Sequence, residues 1–74
     1  MASATYTGVV ESFNLVPQGV ALGYGMSITP DGGGPKIELG GQYLGGVNYN
    51  KGEKVTYYGM RLSSGEMRYS IYDM

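Results

Sequence analysis

The chain has 74 residues, of which 14 are glycine and 3 proline, so the ceiling is one small domain in which many positions favour turns, bulges and close backbone approach over helix interiors. It contains neither cysteine nor histidine, which excludes disulfide stapling, thiol nucleophiles, Ser-His relays and the usual zinc sites. Five Lys and Arg stand against six Asp and Glu, giving a net charge of −1, so any contact with a phosphate backbone must come from a local patch rather than an overall positive field.

Residues 1–4 are expected to form a flexible N-terminus and residues 5–74 a single small β-barrel domain. Met1-Ala2-Ser3-Ala4 follows no basic segment or apolar run, and the most apolar stretch, Val20 to Met26, is broken by Gly23 and falls far short of the ~20 residues a membrane-spanning helix needs. The default expectation is therefore a soluble, cytoplasmic protein.

Alternation with period two marks five strands, and no window repeats convincingly at 3.6. The first strand runs from Thr5 to Leu15 and is followed by Val16-Pro17-Gln18-Gly19, with Pro and Gly where a tight turn uses them. A hairpin closed there sets Leu15 opposite Val20, Phe13 opposite Leu22, Glu11 opposite Tyr24, Val9 opposite Met26 and Thr7 opposite Ile28, all on one largely apolar face. The reverse face receives Ser12, Val10, Gly8, Ala21, Gly23, Gly25 and Ser27, whose small side chains suit a tightly coiled sheet.

Thr29-Pro30-Asp31-Gly32-Gly33-Gly34-Pro35 then reads as a flexible loop, and a third strand starts at Lys36 with Ile37 and Leu39 on one side. Tyr43-Leu44 and Val47-Asn48-Tyr49 fit either short extended pieces or a packed loop, and nothing there requires a helix. After the turn Asn50-Lys51-Gly52-Glu53, the fourth strand spans Lys54 to Leu62 and the fifth Glu66 to Met74. Centring their turn on Ser64-Gly65 pairs Leu62 with Met67, Met60 with Tyr69 and Tyr58 with Ile71 on a core face. The outer face then pairs Arg61 with Arg68, Gly59 with Ser70 and Tyr57 with Tyr72. Five short strands, glycine-rich bends and one long connection between the second and fourth strands predict an all-β fold, a small five-stranded antiparallel OB-like barrel, with an SH3-like barrel as the alternative.

Thr7-Gly8-Val9-Val10-Glu11-Ser12-Phe13-Asn14, then Gly23-Tyr24-Gly25, then Ile28-Thr29-Pro30-Asp31-Gly32-Gly33-Gly34-Pro35-Lys36, resembles the opening half of a cold-shock domain. Lys51-Gly52-Glu53-Lys54-Val55 is similar to that family's later turn and fourth strand. The resemblance spans roughly residues 7 to 56, and it implies a five-stranded OB barrel that binds single-stranded RNA or DNA by stacking bases on exposed aromatics. The chain departs from the family pattern at Ser12 and Met26, where rings are usual, and at Ile37-Glu38-Leu39-Gly40, where a carboxylate stands in place of a stacking ring.

The candidate nucleic-acid-binding surface is Tyr57, Tyr72, Arg61 and Arg68, extended by Lys54 and Lys36. Two rings opposite each other across a strand pair can accept bases, and guanidinium forks hold phosphate oxygens bidentately. The bland alternative is a solvated sheet face on which tyrosine sits because it favours strands. Tyr24 joins the candidates through the family resemblance, although its register puts it on the apolar face beside Leu22 and Met26. The Gly32-to-Lys36 loop lacks the Gly-Lys-Ser/Thr order of a phosphate loop, and the carboxylates Glu11, Asp31, Glu38, Glu53, Glu66 and Asp73 are scattered without the spacing of a calcium loop or a catalytic pair. The functional expectation is a non-catalytic binding module for single-stranded nucleic acid, without cofactor or metal. The alternative is a protein-interaction or oligomerising module, such as a small regulator or inhibitor, because eight Tyr and five Met with few charges suit an interface.

Overall fold

The computed structural model describes residues 3–43, 45 and 48–71. These form five antiparallel strands: β1 (Ser3–Gln18), β2 (Ala21–Pro30), β3 (Ile37–Gln42), β4 (Lys54–Arg61) and β5 (Met67–Ile71). Their order across the sheet is β3-β2-β1-β4-β5. The two ends of that order, β3 and β5, lie against each other, so the sheet curls into a nearly closed, OB-like barrel. No residue among those described is helical, and none lies in a helix long and apolar enough to cross a membrane.

β1 is the longest strand because it serves two neighbours in succession. Ser3 to Val9 pair with β4, while Gly8 to Gln18 pair with β2. It begins at Ser3 rather than Thr5, with Ser3 and Ala4 set opposite Met60 and Gly59. The β1–β2 turn is Gly19-Val20, not Val16 to Gly19, and Gln18 faces Ala21. Gly19 has φ +63°, the sign that a two-residue type II′ hairpin requires at its first central position. Leu15 consequently faces Tyr24 and Phe13 faces Met26, a slide that leaves the faces of these residues as expected.

Below Phe13 the faces do change. The register shifts between Val10 and Ser12, leaving Glu11 as the extra residue of a β-bulge, so Val10 rather than Val9 turns inward opposite Ile28. Val10 and Ile28 are both fully buried. Glu11 does not meet Tyr24; its Oε2 accepts a hydrogen bond from the Thr29 hydroxyl at 2.7 Å.

The β4–β5 hairpin shows a second one-residue correction. Arg61 faces Met67, Gly59 faces Tyr69 and Tyr57 faces Ile71. The Leu62 N–H donates to the Glu66 carbonyl at 2.8 Å, leaving Ser63-Ser64-Gly65 as a three-residue loop with Gly65 at φ +92°. Three loop residues instead of two advance β4 by one position, and in a period-two strand that exchanges its faces. Tyr57 and Val55 therefore point inward, and Tyr58 and Met60 do not share the face of Ile71. The core comprises Val10, Tyr24, Met26, Ile28, Leu39, Val55, Tyr57 and Ile71, with Phe13, Ile37, Tyr43, Tyr49 and Tyr69 packed against it.

β3 follows its expected alternation, with Leu39 buried and Ile37 half-buried. In the connection after it, Tyr43 and Tyr49 place their rings 6.4 and 5.6 Å from that of Phe13. The expected pieces at Leu44 and Val47 lie outside the described residues, as do Tyr72, Asp73 and Met74 at the end of the fifth strand.

Candidate functional site

A cleft of about 840 Å³ opens between the N-terminal half of β1, the loop after β2, the start of β3 and the inner face of β5. Its floor is the ring of Tyr57, which is only 2% exposed. Tyr6, directly opposite Tyr57 in the β1–β4 pairing, stacks on it with centroids 5.5 Å apart and planes 27° from parallel. From the other side Tyr69 meets Tyr57 edge-on, at 6.0 Å and 69°. Tyr6 itself is 41% exposed, so one ring of the trio offers a face to solvent while the buried one fixes its position.

Two glycines make this arrangement possible. A Cβ on Gly8 would stand 3.3 Å from Tyr57 Cε1, and one on Gly59 would stand 2.9 Å from Tyr69 Cε1. Each ring thus occupies the space beside a residue that has no side chain, the way aromatic rings cover glycines in curved sheets.

The rim is the loop bracketed by Pro30 and Pro35. It is tied down rather than loose: the Asp31 N–H donates to the Thr7 carbonyl at 3.1 Å, and the Asp31 carboxylate accepts from the Thr7 hydroxyl at 2.8 Å and from Lys54 Nζ at 2.9 Å. The Lys54 bond first, then that of Thr7, holds the Asp31 carboxyl below the usual carboxylate range. A lowered folded value means that whatever stability this clasp gives is present above the unfolded carboxylate value and fades as pH falls through the folded one. An NMR titration of Asp31 should accordingly show a depressed midpoint, and Lys54→Ala should raise it; a midpoint that Lys54→Ala leaves unmoved would refute the assigned cause.

The sequence-derived candidates are redistributed. Tyr57 and Lys36 both line the cleft. Lys54 is exposed but engaged with Asp31. Arg61 and Arg68 are not partners: Arg61 faces Met67 and donates to the Gly65 carbonyl at 3.3 Å, whereas Arg68 is opposite Met60 on the other face. Tyr24 is a core residue stacked on Phe13 at 5.9 Å, and burial, with Tyr58 second, pushes its phenol pKa up. Tyr72 lies outside the described residues. The residues that sequence reasoning missed are Tyr6, Met67 and Tyr69 as cleft walls. The inward orientation of Met67 and Tyr69 was readable from the alternation of β5, but Tyr6 could be linked to Tyr57 only through the β1–β4 register, which no local pattern sets.

Charge in the cleft is sparse and mixed, with Lys36 and Glu38 both on its wall. Its lining is mostly uncharged and includes the partly exposed ring of Tyr6. Comparison with protein-family models, with curated proteins and with solved structures finds no match to the chain.

Proposed function

We propose that the chain is a cytoplasmic, non-catalytic binding module that takes an unstacked base of single-stranded nucleic acid onto Tyr6, with Lys36 meeting the adjoining phosphate. The observation that carries this reading is the half-exposed Tyr6 ring held in a fixed plane by buried Tyr57 at the mouth of the cleft. A ring already immobilised loses little freedom when a base stacks on it, and stacking tolerates any base because each has a flat face. The cold-shock-like segments of the sequence point the same way.

The electrostatics set the scale of the effect. With Lys36 in the cleft and Lys54 committed to Asp31, one phosphate is neutralised, so affinity should weaken roughly 5-fold per tenfold rise in salt, far less than for a basic single-strand binder. Fluorescence anisotropy of labelled oligothymidine and oligouridine at low and moderate salt tests this. The expected result is saturable binding with that shallow salt dependence, reduced about tenfold or more by Tyr6→Ala and little changed by Arg68→Ala. Circular dichroism of each variant checks the fold. Absence of saturable binding at low salt, or binding indifferent to Tyr6→Ala in a folded variant, would overturn the reading.

A further inference from the structure

Beyond Glu11 the edge of β1 that faced β4 is no longer paired with it. β1 pairs with β4 only as far as Val9, and the last backbone bonds on that edge among the described residues join Val10 to Glu53 and Gly52, at 2.9 and 2.8 Å. Among the described residues the backbone from Ser12 to Gln18 pairs with β2 alone, and every residue there is exposed except half-buried Phe13, whose ring packs against Tyr43 and Tyr49. Leu15, Val16, Val20 and Leu22 are each at least 40% exposed. No charged residue occurs between Glu11 and Asp31.

The hydrogen-bonding direction of the free edge follows from the turn. Gln18 and Ala21 flank a two-residue loop, so they are the bonded pair that closes it, and the backbone groups of Gln18, Val16 and Asn14 face β2. Those of Phe13 and Leu15 therefore face outward, joined by the carbonyl of Pro17. On the opposite strand Leu22, one residue past Ala21, turns its carbonyl away from β1 to accept from the Tyr43 N–H at 2.8 Å, in step with the same alternation.

We propose that this edge is a self-association site, at which two copies of the chain pair antiparallel about a two-fold axis near Asn14 and Leu15. The outward N–H groups of Phe13 and Leu15 in each copy donate to outward carbonyls of the other, continuing the sheet across both molecules. A second copy is the occupant these features favour. An antiparallel edge is complementary to itself under two-fold rotation, and an uncharged segment meets its own image without like charges in opposition. The same lack of Lys and Arg leaves nothing in the arm to hold an anionic bilayer or a phosphate backbone. Sheets usually guard an exposed edge with charges or proline; here the guard is Pro17 alone, at the far end, where it stops the pairing from running on. The Ser12–Gln18 edge is about 23 Å long at the usual rise, short of what a tight interface needs, so the dimer forms in a concentration-dependent way. No residue from Ser12 to Leu22 lines the cleft, and the dimer thus presents two open clefts.

Sedimentation velocity of the full chain, from low micromolar to near-millimolar concentration and without added ligand, tests the proposal. The mass should rise from 7.9 kDa to twice that and stop. Leu15→Lys should remain monomeric with an unchanged circular dichroism spectrum, while Val20→Lys, at the turn and off the edge, should dimerise like the parent. Hydrogen exchange of the unmodified chain gives a readout that needs no substitution: the Phe13 and Leu15 amides should slow with concentration, and that of Val16, already bonded to β2, should not. A parent that stays monomeric, growth past the dimer, dimerisation unaffected by Leu15→Lys, or association that appears only with added vesicles or oligonucleotide would each overturn it.

Discussion

Tyr57→Ala is expected to destabilise the fold by about 4 kcal/mol, the usual cost of emptying a large aromatic from a core. Tyr57 is among the three largest fully buried side chains, and its ring is held on both sides by Tyr6 and Tyr69. A chain of 74 residues has a total stability on the order of 4–11 kcal/mol, so the variant should lose roughly a third or more of it and melt some 15–30 °C lower. Tyr57→Phe keeps the ring and should keep most of the stability, which separates loss of packing from loss of the hydroxyl. The two should also differ from the parent in alkali. Burial first, then Tyr69, Tyr6 and Asp31, pushes the Tyr57 phenol above its ordinary value. A raised folded value gives stability that is whole below the unfolded phenol value, near pH ~10, and is lost as pH rises through the folded one. Denaturant midpoints of Tyr57→Phe should therefore fall less steeply above that pH than those of the parent. Equal alkaline slopes would refute the raised phenol pKa, and an alanine variant as stable as the parent would show that the ring is not part of the core.

Strand existence was legible in this sequence because period-two alternation and glycine punctuation act locally. β3 shows it well: Ile37 and Leu39 alternate with Lys36 and Glu38, and the strand begins within a residue of the expected place. Register was not legible, because it hangs on single residues. One additional residue in the Ser63-Ser64-Gly65 loop turned Tyr57 from an exposed platform into the cleft floor and separated Arg61 from Arg68. One bulged residue, Glu11, moved Val10 into the core in place of Val9. Both errors are of the same physical kind, since a one-step slip in a strand moves all of its side chains to the opposite face. The candidate site inherited them. The inward face of β5 was legible because it depends on alternation within one strand; the Tyr6–Tyr57 stack was not, because it depends on pairing between strands far apart in the chain.

Glycine content, the feature that first suggested a coiled sheet, makes the second large prediction, because glycines that look alike in sequence should respond oppositely to the same substitution. Gly8→Ala is expected to cost about 3 kcal/mol or more, the upper part of the range for overpacking. The new Cβ would lie 2.5 Å from Ile28 Cγ2 and 2.8 Å from the Thr29 carbonyl oxygen. Neither neighbour can yield easily: Ile28 is fully buried, and the oxygen belongs to the backbone of a paired strand. Relief would require β1 and β2 to separate where β1 passes from β4 to β2, which disturbs both pairings at once. Gly25→Ala is the counterpart. Gly25 also sits within a strand, but a Cβ there meets nothing within 4 Å and its φ is not positive. Alanine at that position restricts the unfolded chain without straining the folded one and should add about 0.4–1 kcal/mol. Chemical denaturation of the two variants reads both signs on one scale. If Gly8→Ala proved neutral, the close approach of β1 to Ile28 would be wrong, and with it the seating of Tyr57 beside Gly8; if Gly25→Ala were as damaging as Gly8→Ala, glycine would be needed for backbone freedom throughout the sheet rather than for space at particular contacts.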